Sequence, residues 1–254
     1  MQSDIMYHIR LAKGQVGRYV FLPGDPGRVE RIARFLNSPV EVAWNREYRT
    51  MTGMLHGVPV SVSSTGIGGP SLAIAVEELH MLGADTFIRV GTCGGMSTSV
   101  VPGNVVIATG AIRSEGTSRE YLPLEFPAVA DYQVVNALSC AAGEMKYPYH
   151  VGVVQGKDSF YGQHAPERMP VHQQLMSNWQ AWLDGGCLAS EMESPALFIM
   201  ASALHVRAGS VNLCLGNQER VKKGMTDPAL IDADAAIKTG VLAMGKLIDQ
   251  DLSG

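Results

Sequence analysis

The sequence predicts an α/β fold in which one mainly parallel or mixed sheet is covered by helices. Three observations carry that reading. Apolar runs of strand length alternate with helix-length segments from end to end of the 254 residues, as in chains whose strands are joined by covering helices. Most of these runs are continuous in Val, Ile and Phe, the composition of strands buried on both faces. Many of the 28 glycines directly follow such runs, where the ligand loops of these sheets lie.

Along the chain, strands are expected at 18–22, 58–63, 86–90, 105–109, 151–156 and 208–215. Helices are expected at 27–36, 70–82, 132–145, 170–184, 194–204 and 228–249. The first helix shows the reasoning: Val29, Ile32, Ala33 and Leu36 form one apolar stripe, with Arg28, Arg31 and Arg34 elsewhere around it. Residues 113–130 are the longest irregular piece and are read as a loop. No repeat, charge run or low-complexity tract interrupts the pattern, so residues 1–254 are read as a single domain.

Composition narrows the function. With 46% hydrophobic and 17% charged residues the chain can bury a core and is not disordered. Its 24 acidic and 20 basic residues give a net charge of −4, which offers no electrostatic case for nucleic acid. The longest apolar stretches, such as 196–204, fall short of the roughly 20 residues that span a bilayer. The start, Met1-Gln2-Ser3-Asp4, lacks a basic-then-apolar signal pattern, so a cytoplasmic location is expected. Cysteines at 93, 140, 187 and 214 show no C-x-x-C spacing and are expected to be reduced, buried thiols.

Three glycine turns carry candidate chemistry. In Leu22-Pro23-Gly24-Asp25-Pro26-Gly27-Arg28, a strand gives way to a helix whose free N–H groups could face an anion. Arg28 falls in the first helical turn, where a cation opposes the macrodipole unless an anion sits between them. A tight turn with a surface arginine is the plainer account of that segment alone. Arg89, in Thr86-Phe87-Ile88-Arg89-Val90-Gly91-Thr92-Cys93-Gly94-Gly95, is embedded in an apolar strand. A guanidinium there needs a carboxylate or an anionic ligand, and its place at the strand's C-terminal end is where open sheets bind ligands. The third turn, Ser64-Thr65-Gly66-Ile67-Gly68-Gly69-Pro70-Ser71, has Ser71 where a dinucleotide fingerprint needs its third glycine, and no Walker A lysine follows.

Two other segments join them. Ser190-Glu191-Met192-Glu193-Ser194 opens a helix with two carboxylates, which read either as first-turn capping chemistry or, for Glu193, as a holder of sugar hydroxyls. Phe160-Tyr161-Gly162-Gln163, read as a loop together with Arg168, offers an aromatic face, an amide and a guanidinium to a flat polar heterocycle.

These motifs, in order, together with Asn45-Arg46-Glu47-Tyr48 and Leu124-Glu125-Phe126-Pro127-Ala128-Val129-Ala130-Asp131, resemble the hexameric nucleoside phosphorylases, and within them the uridine-cleaving branch. The resemblance runs from His8 to the last helix. It implies an α/β fold with a partly barrel-like mixed sheet, and phosphorolysis of uridine to uracil and ribose 1-phosphate by a pentosyltransferase. Carried over, Gly24, Arg28, Arg89 and Thr92 hold inorganic phosphate, joined by Arg46 of a neighbouring subunit. His8 of the neighbour, Met192 and Glu193 bind ribose, with Glu191 beside them. Phe160, Gln163 and Arg168 face the base, with Cys93, Gly94 and Gln218 lining its pocket. The resemblance implies no organic cofactor, a homohexamer built as a trimer of dimers with shared sites, and potassium at the dimer interface through Glu47, Ile67 and Ser71.

The sequence departs from the family pattern at two places. The base-binding glutamine and arginine of the family are one residue apart, whereas His164-Ala165-Pro166-Glu167 separates Gln163 from Arg168. Gln218 stands after Asn217 where uridine enzymes have arginine, leaving Arg220 as a substitute two residues on. Purine members have an aspartate near this place and none appears here. The alternatives are a purine nucleoside phosphorylase on the same fold, a water-using nucleosidase with no need for the arginines, and a nucleoside-binding protein without catalysis.

Overall fold

The computed structural model describes residues 5–228 and 234–254. Its strands are β1 (Tyr19–Leu22), β2 (Asn37–Asn45), β3 (Tyr48–Leu55), β4 (Val58–Ser63), β5 (Thr86–Gly95), β6 (Val105–Ser114), β7 (Tyr149–Lys157), β8 (Ala189–Glu191) and β9 (Arg207–Asn217). Its helices are α1 (Pro26–Ala33), α2 (Gly69–Met81), α3 (Thr117–Tyr121), α4 (Tyr132–Glu144), α5 (Phe160–His164), α6 (His172–Asp184), α7 (Ser194–Leu204), α8 (Gln218–Lys222) and α9 (Ala235–Ser253).

The sheet runs β2-β3-β4-β1-β5-β8-β7-β6-β9, and β5 also pairs with β9. That extra pairing closes β5, β8, β7, β6 and β9 into a barrel, from which β1, β4, β3 and β2 extend as a wing. The mixed, partly barrel-like sheet is therefore observed. β5 is the hinge of the design. β1 runs parallel to it from Tyr19↔Thr86 to Leu22↔Arg89, whereas β8 meets it only at Gly94 and Gly95. Between those points β5 keeps β9 on one side, while β1 and β8 part on the other. The parting leaves a crevice at the C-terminal ends of parallel strands, where α/β sheets bind ligands.

The helices bury both faces of the sheet. α2 contributes Leu72, Val76 and Leu79 to one core, and α7 contributes Leu197, Phe198 and Met200. Under α1, α4 and α9 lie Val29, Ile32, Leu138, Met244 and Leu247. α7 is apolar all round and buried along most of its length, as a central helix must be. His205 then ends it in the left-handed conformation at φ 55°, a common helix stop. No helix among the described residues is long and apolar enough to cross a membrane.

The strands expected from apolar runs are present, several of them longer. β5, β6 and β9 extend beyond their Val/Ile-rich starts because the barrel pairs their glycine-rich ends as well. The hairpin β2–β3 and the short β8 carry too few buried apolar residues in sequence to announce themselves. The segment 113–130 is not all loop, since it contains α3, and the Phe160 segment is the helix α5. Glu191 ends β8 and Glu193 sits at the cap position of α7, so both carboxylates precede the first helical turn rather than occupy it. The last helix begins at Ala235; residues 229–233 of the expected helix lie outside the described residues. Cys93, Cys187 and Cys214 are buried free thiols, but Cys140 is exposed on the outer side of α4.

Candidate active site

A cavity of about 1080 Å³ fills the crevice, large enough for a nucleoside-sized ligand. One group of its residues is built around Arg89. The side chain is 5% exposed; its Nε donates to Glu191 at 3.2 Å and its Nη2 donates to Glu193. Nη1 is buried with no protein partner. The strand therefore carries both the internal ion pair and the unmet donor that points to an anion, since an unsatisfied buried N–H costs on the order of 1–3 kcal/mol. Gly24 lies against this atom: a Cβ there would stand 4.0 Å from Nη1 and only 3.0 Å from the Gly66 carbonyl. A side chain there would crowd that carbonyl, so glycine suits the close approach.

Arg28 also borders the cavity, with one bond from Nη1 to the Val90 carbonyl at 3.2 Å. Burial, and then the neighbouring Arg89, lower its pKa from the ordinary value. Two guanidiniums that disfavour each other are relieved by an anion between them. The α1 N-terminus contributes less than its sequence suggests. The Asp25 carboxylate accepts from Gly27 N at 2.9 Å and the Asp25 carbonyl from Arg28 N at 3.0 Å, so these amides are already bonded within the turn. Thr92 completes this group.

The two carboxylates are fixed by backbone. Glu191 accepts from the amides of Glu193 and Ser194 at 2.9 Å, capping α7 from outside. Burial pushes its pKa up, against the pull of Arg89. Glu193 accepts from Gly68 N at 2.6 Å, and Gly68 has φ 92°, a left-handed conformation that suits glycine. Met192 borders the cavity between them.

The second group centres on the end of β7 and on α5. Lys157, 8% exposed, donates to Ser190 Oγ at 2.7 Å and to the Glu191 carbonyl at 3.3 Å. Ser190 Oγ also contacts Gln155 Oε1 at 2.6 Å and Gln163 Oε1 at 2.7 Å. A hydroxyl has one proton, so one of those amides presents its NH₂ to Ser190 instead. Phe160 is half exposed and packs on His164 at 4.3 Å between ring centroids. Cys93 and Gly94 line the cavity from β5. The Cys93 thiol is held protonated by its hydrogen bond with Cys214 and by burial, which raise its pKa. Gln218 reaches the cavity behind Asn217, whose amide group anchors it to the Ser97 and Val100 carbonyls at 2.8 and 2.9 Å.

Both candidate replacement arginines lie elsewhere. After α5 the chain turns through a single 3-10 turn, Pro166–Arg168, and Arg168 emerges exposed and outside the cavity lining. Arg220 is buried but holds Asp227 at 2.6 Å and the carbonyls of Thr98 and Thr226 at 2.9 and 2.7 Å. Its role is to tie α8 to the loop that follows. His8 and Arg46 do not border the cavity of their own chain. Glu78 fixes His8 through Nδ1 at 2.6 Å, and Arg46 is exposed at the tip of the β2–β3 hairpin with φ 55°. Glu47, Ile67 and Ser71 do border it, with Ser71 Oγ donating to the Thr65 carbonyl and lying 3.2 Å from a Glu47 carboxylate oxygen.

Comparison with known proteins decides the family. The model of the phosphorylase superfamily matches residues 18–243. A uridine phosphorylase of Treponema pallidum is 55% identical over 249 residues, covering 98% of this chain and 96% of that protein. A uridine phosphorylase of Thermococcus kodakarensis is 43% identical, covering 92% and 86%. A guanosine phosphorylase of Halorubrum lacusprofundi is 39% identical, covering 84% and 86%.

The chain belongs to the phosphorylase superfamily.

Of the residues expected from the superfamily resemblance, Gly24, Arg28, Arg89, Thr92, Cys93, Gly94, Phe160, Gln163, Met192, Glu193 and Gln218 meet at one cavity. Sequence reasoning missed Lys157, Ser190 and Asn217, which also border it. Lys157 had a signal: it is a cation at the C-terminal end of a strand whose last residues are buried, the place where open sheets bind ligands.

Proposed function

We propose that this superfamily member cleaves uridine with inorganic phosphate, giving uracil and ribose 1-phosphate. The observation that carries the reading is the buried, unpartnered Nη1 of Arg89 beside Gly24 and Arg28. A water-using nucleosidase has no use for such an anion site. A nucleoside-binding protein has none either.

In this reading Gly24, Arg28, Arg89 and Thr92 hold phosphate, and the guanidiniums position it against C1′ of the sugar. The C1′–N bond breaks with its electron pair leaving on the base, and a phosphate oxygen bonds to C1′ through an oxocarbenium-like state. The dianion itself offsets the positive charge that develops on the sugar. Met192 and Glu193 bind ribose: each Glu193 oxygen accepts one hydrogen bond at present, and a carboxylate has capacity for more. Phe160 stacks on the base, and Gln163, Gln218, Cys93 and Gly94 face its edges.

The same proposal makes the chain one domain of a cytoplasmic homo-oligomer, a trimer of dimers in which a neighbour's Arg46 reaches phosphate and its His8 reaches ribose. Support comes from the position of both residues outside their own cavity, Arg46 on an exposed hairpin tip. Potassium at the dimer interface belongs to it too. Glu47, Ile67 and Ser71 border the same cavity, and the Glu47 carboxylate and Ser71 hydroxyl are 3.2 Å apart; oxygen donors of this kind suit hard cations. The similarity to a guanosine phosphorylase gives the second reading, a purine substrate on the same frame.

Free-base release from uridine, thymidine, inosine and guanosine, each with and without phosphate, tests the proposal. Phosphate-dependent uracil release is expected. Purine release moves the assignment to the second reading, and release without phosphate overturns phosphorolysis.

A further inference from the structure

A base that leaves with the electron pair of its glycosidic bond carries negative charge on its carbonyl oxygens. In a site closed to water that charge needs a fixed donor, preferably cationic. The two arginines that the sequence offers for this task are elsewhere, Arg168 at the surface and Arg220 bound to Asp227. Gln163 and Gln218 are neutral. Among the described residues that border the cavity, the lysine and arginine cations are Arg28, Arg89 and Lys157. The first two form the anion group described above. Lys157 is left.

We propose that Lys157 is a catalytic residue of this chain, the buried ammonium that stabilises the departing pyrimidine anion by donating to one of its carbonyl oxygens. The proposal rests on the phosphorolysis reading. Its geometry is specific. An ammonium has three N–H donors; two go to Ser190 Oγ and the Glu191 carbonyl, and one is left for a ligand. The Ser190 hydroxyl that Lys157 touches also touches the Gln163 amide, so two hydrogen bonds through one hydroxyl link the ammonium to the group that faces the base. Burial lowers the Lys157 pKa from its ordinary value, and the neighbouring Glu191 and Glu193 offset part of that cost. No proton need leave the lysine. The electron pair of the C1′–N bond passes to the base, the Lys157 N–H···O bond strengthens as charge builds, and the freed base takes a proton from water on release.

Lys157→Met and Lys157→Gln test this with two leaving groups. 5-Fluorouridine releases a more acidic base than uridine and so needs less help. Single-turnover cleavage of uridine at saturating phosphate should fall about 100-fold, the usual cost of losing one such donor, and cleavage of 5-fluorouridine less than about tenfold. KM for phosphate should stay near the wild-type value. Should the Met variant fail to fold, the Gln variant, which retains an N–H toward Ser190, carries the same comparison. An equal fall for both nucleosides, or undiminished uridine cleavage, overturns the assignment. Wild-type turnover of uridine is the control: its absence overturns the phosphorolysis reading itself, and its presence with an equal fall overturns Lys157 alone.

Discussion

The two groups of residues around the cavity are built by different means. Around Arg89 the carboxylates and the guanidinium are buried, and their partners are strand ends, helix-start amides and each other. Around Gln163 the supports are a five-residue helix, a 3-10 turn and side chains such as Phe160 and His164 that stay largely exposed. The first group is part of the core and cannot change without cost to the fold. The second hangs on the buried Lys157 and Ser190 at one end, but its other supports are short surface elements that tolerate change. That division fits a superfamily in which relatives similar over most of this chain are named for uridine and for guanosine. In the proposed reading, the frame supplies the anion site and the short elements supply the choice of base.

The largest effect is expected from Arg89→Met. Phosphate-dependent base release should fall more than about 1000-fold, as the site loses its central charge. Stability should also fall, because Glu191 and Glu193 remain buried side by side without their cation, a loss of about 3–5 kcal/mol when one partner of a buried pair is removed. Urea denaturation at pH 7 measures it. Lost activity at unchanged stability would break the comparison, since Arg89 would then serve the ligand and not the core.

Legibility in the sequence follows the same division. Arg89 stands out because an arginine inside Phe87-Ile88-Arg89-Val90 violates the apolar pattern, and core violations are what sequence patterning detects. The parallel strands and the helices over them show as Val/Ile runs and stripes for the same reason. The β2–β3 hairpin does not, because none of β2 is fully buried and two of its apolar residues, Val40 and Trp44, are exposed. The closing of the barrel through β5–β9 depends on long-range parallel pairing that runs from Thr86 with Arg207 to Gly95 with Asn217, which no local pattern encodes. At the base group, the displacement of Arg168 results from the turn at Pro166, and Lys157 passed unnoticed as one more lysine after a strand.

A middle-sized effect should come from Phe160→Ala. The ring is half exposed and packs on His164, so its removal should leave global stability within about 1 kcal/mol. Loss of a stacking face should raise KM for uridine about tenfold while KM for phosphate stays put. A matching rise in both constants would join the two groups into one unit and remove the distinction drawn between them.

A smaller effect concerns pH. Burial, and then Lys157, lower the pKa of His164 below its ordinary value. On acidification the unfolded chain therefore takes up this proton first, near pH 6.5, and the folded state loses stability from there down to its own lower pKa. His164→Gln removes that loss. Its Tm relative to wild type should rise by about 1 °C between pH 7 and pH 5, whatever constant offset the missing ring contact causes. Parallel Tm curves would mean that His164 titrates alike in both states.

The smallest effect is expected at Arg168, which the resemblance gives as a base-facing residue. Arg168 is exposed and does not border the cavity, and an exposed cation on a short turn contributes little to stability. Arg168→Ala should therefore leave uridine turnover within about twofold and Tm unchanged. The variant also sharpens the comparison, because the short elements around Gln163 are the part of the site able to move. A hundredfold fall in turnover, with KM for phosphate unaffected, would mean that α5 and the Pro166 turn swing inward over bound nucleoside and deliver the guanidinium to the base. Lys157 and Arg168 would then share the leaving-group charge. Combining Arg168→Ala with Lys157→Gln decides between sharing and independence: residues acting on one charge lose less together than the sum of their separate losses.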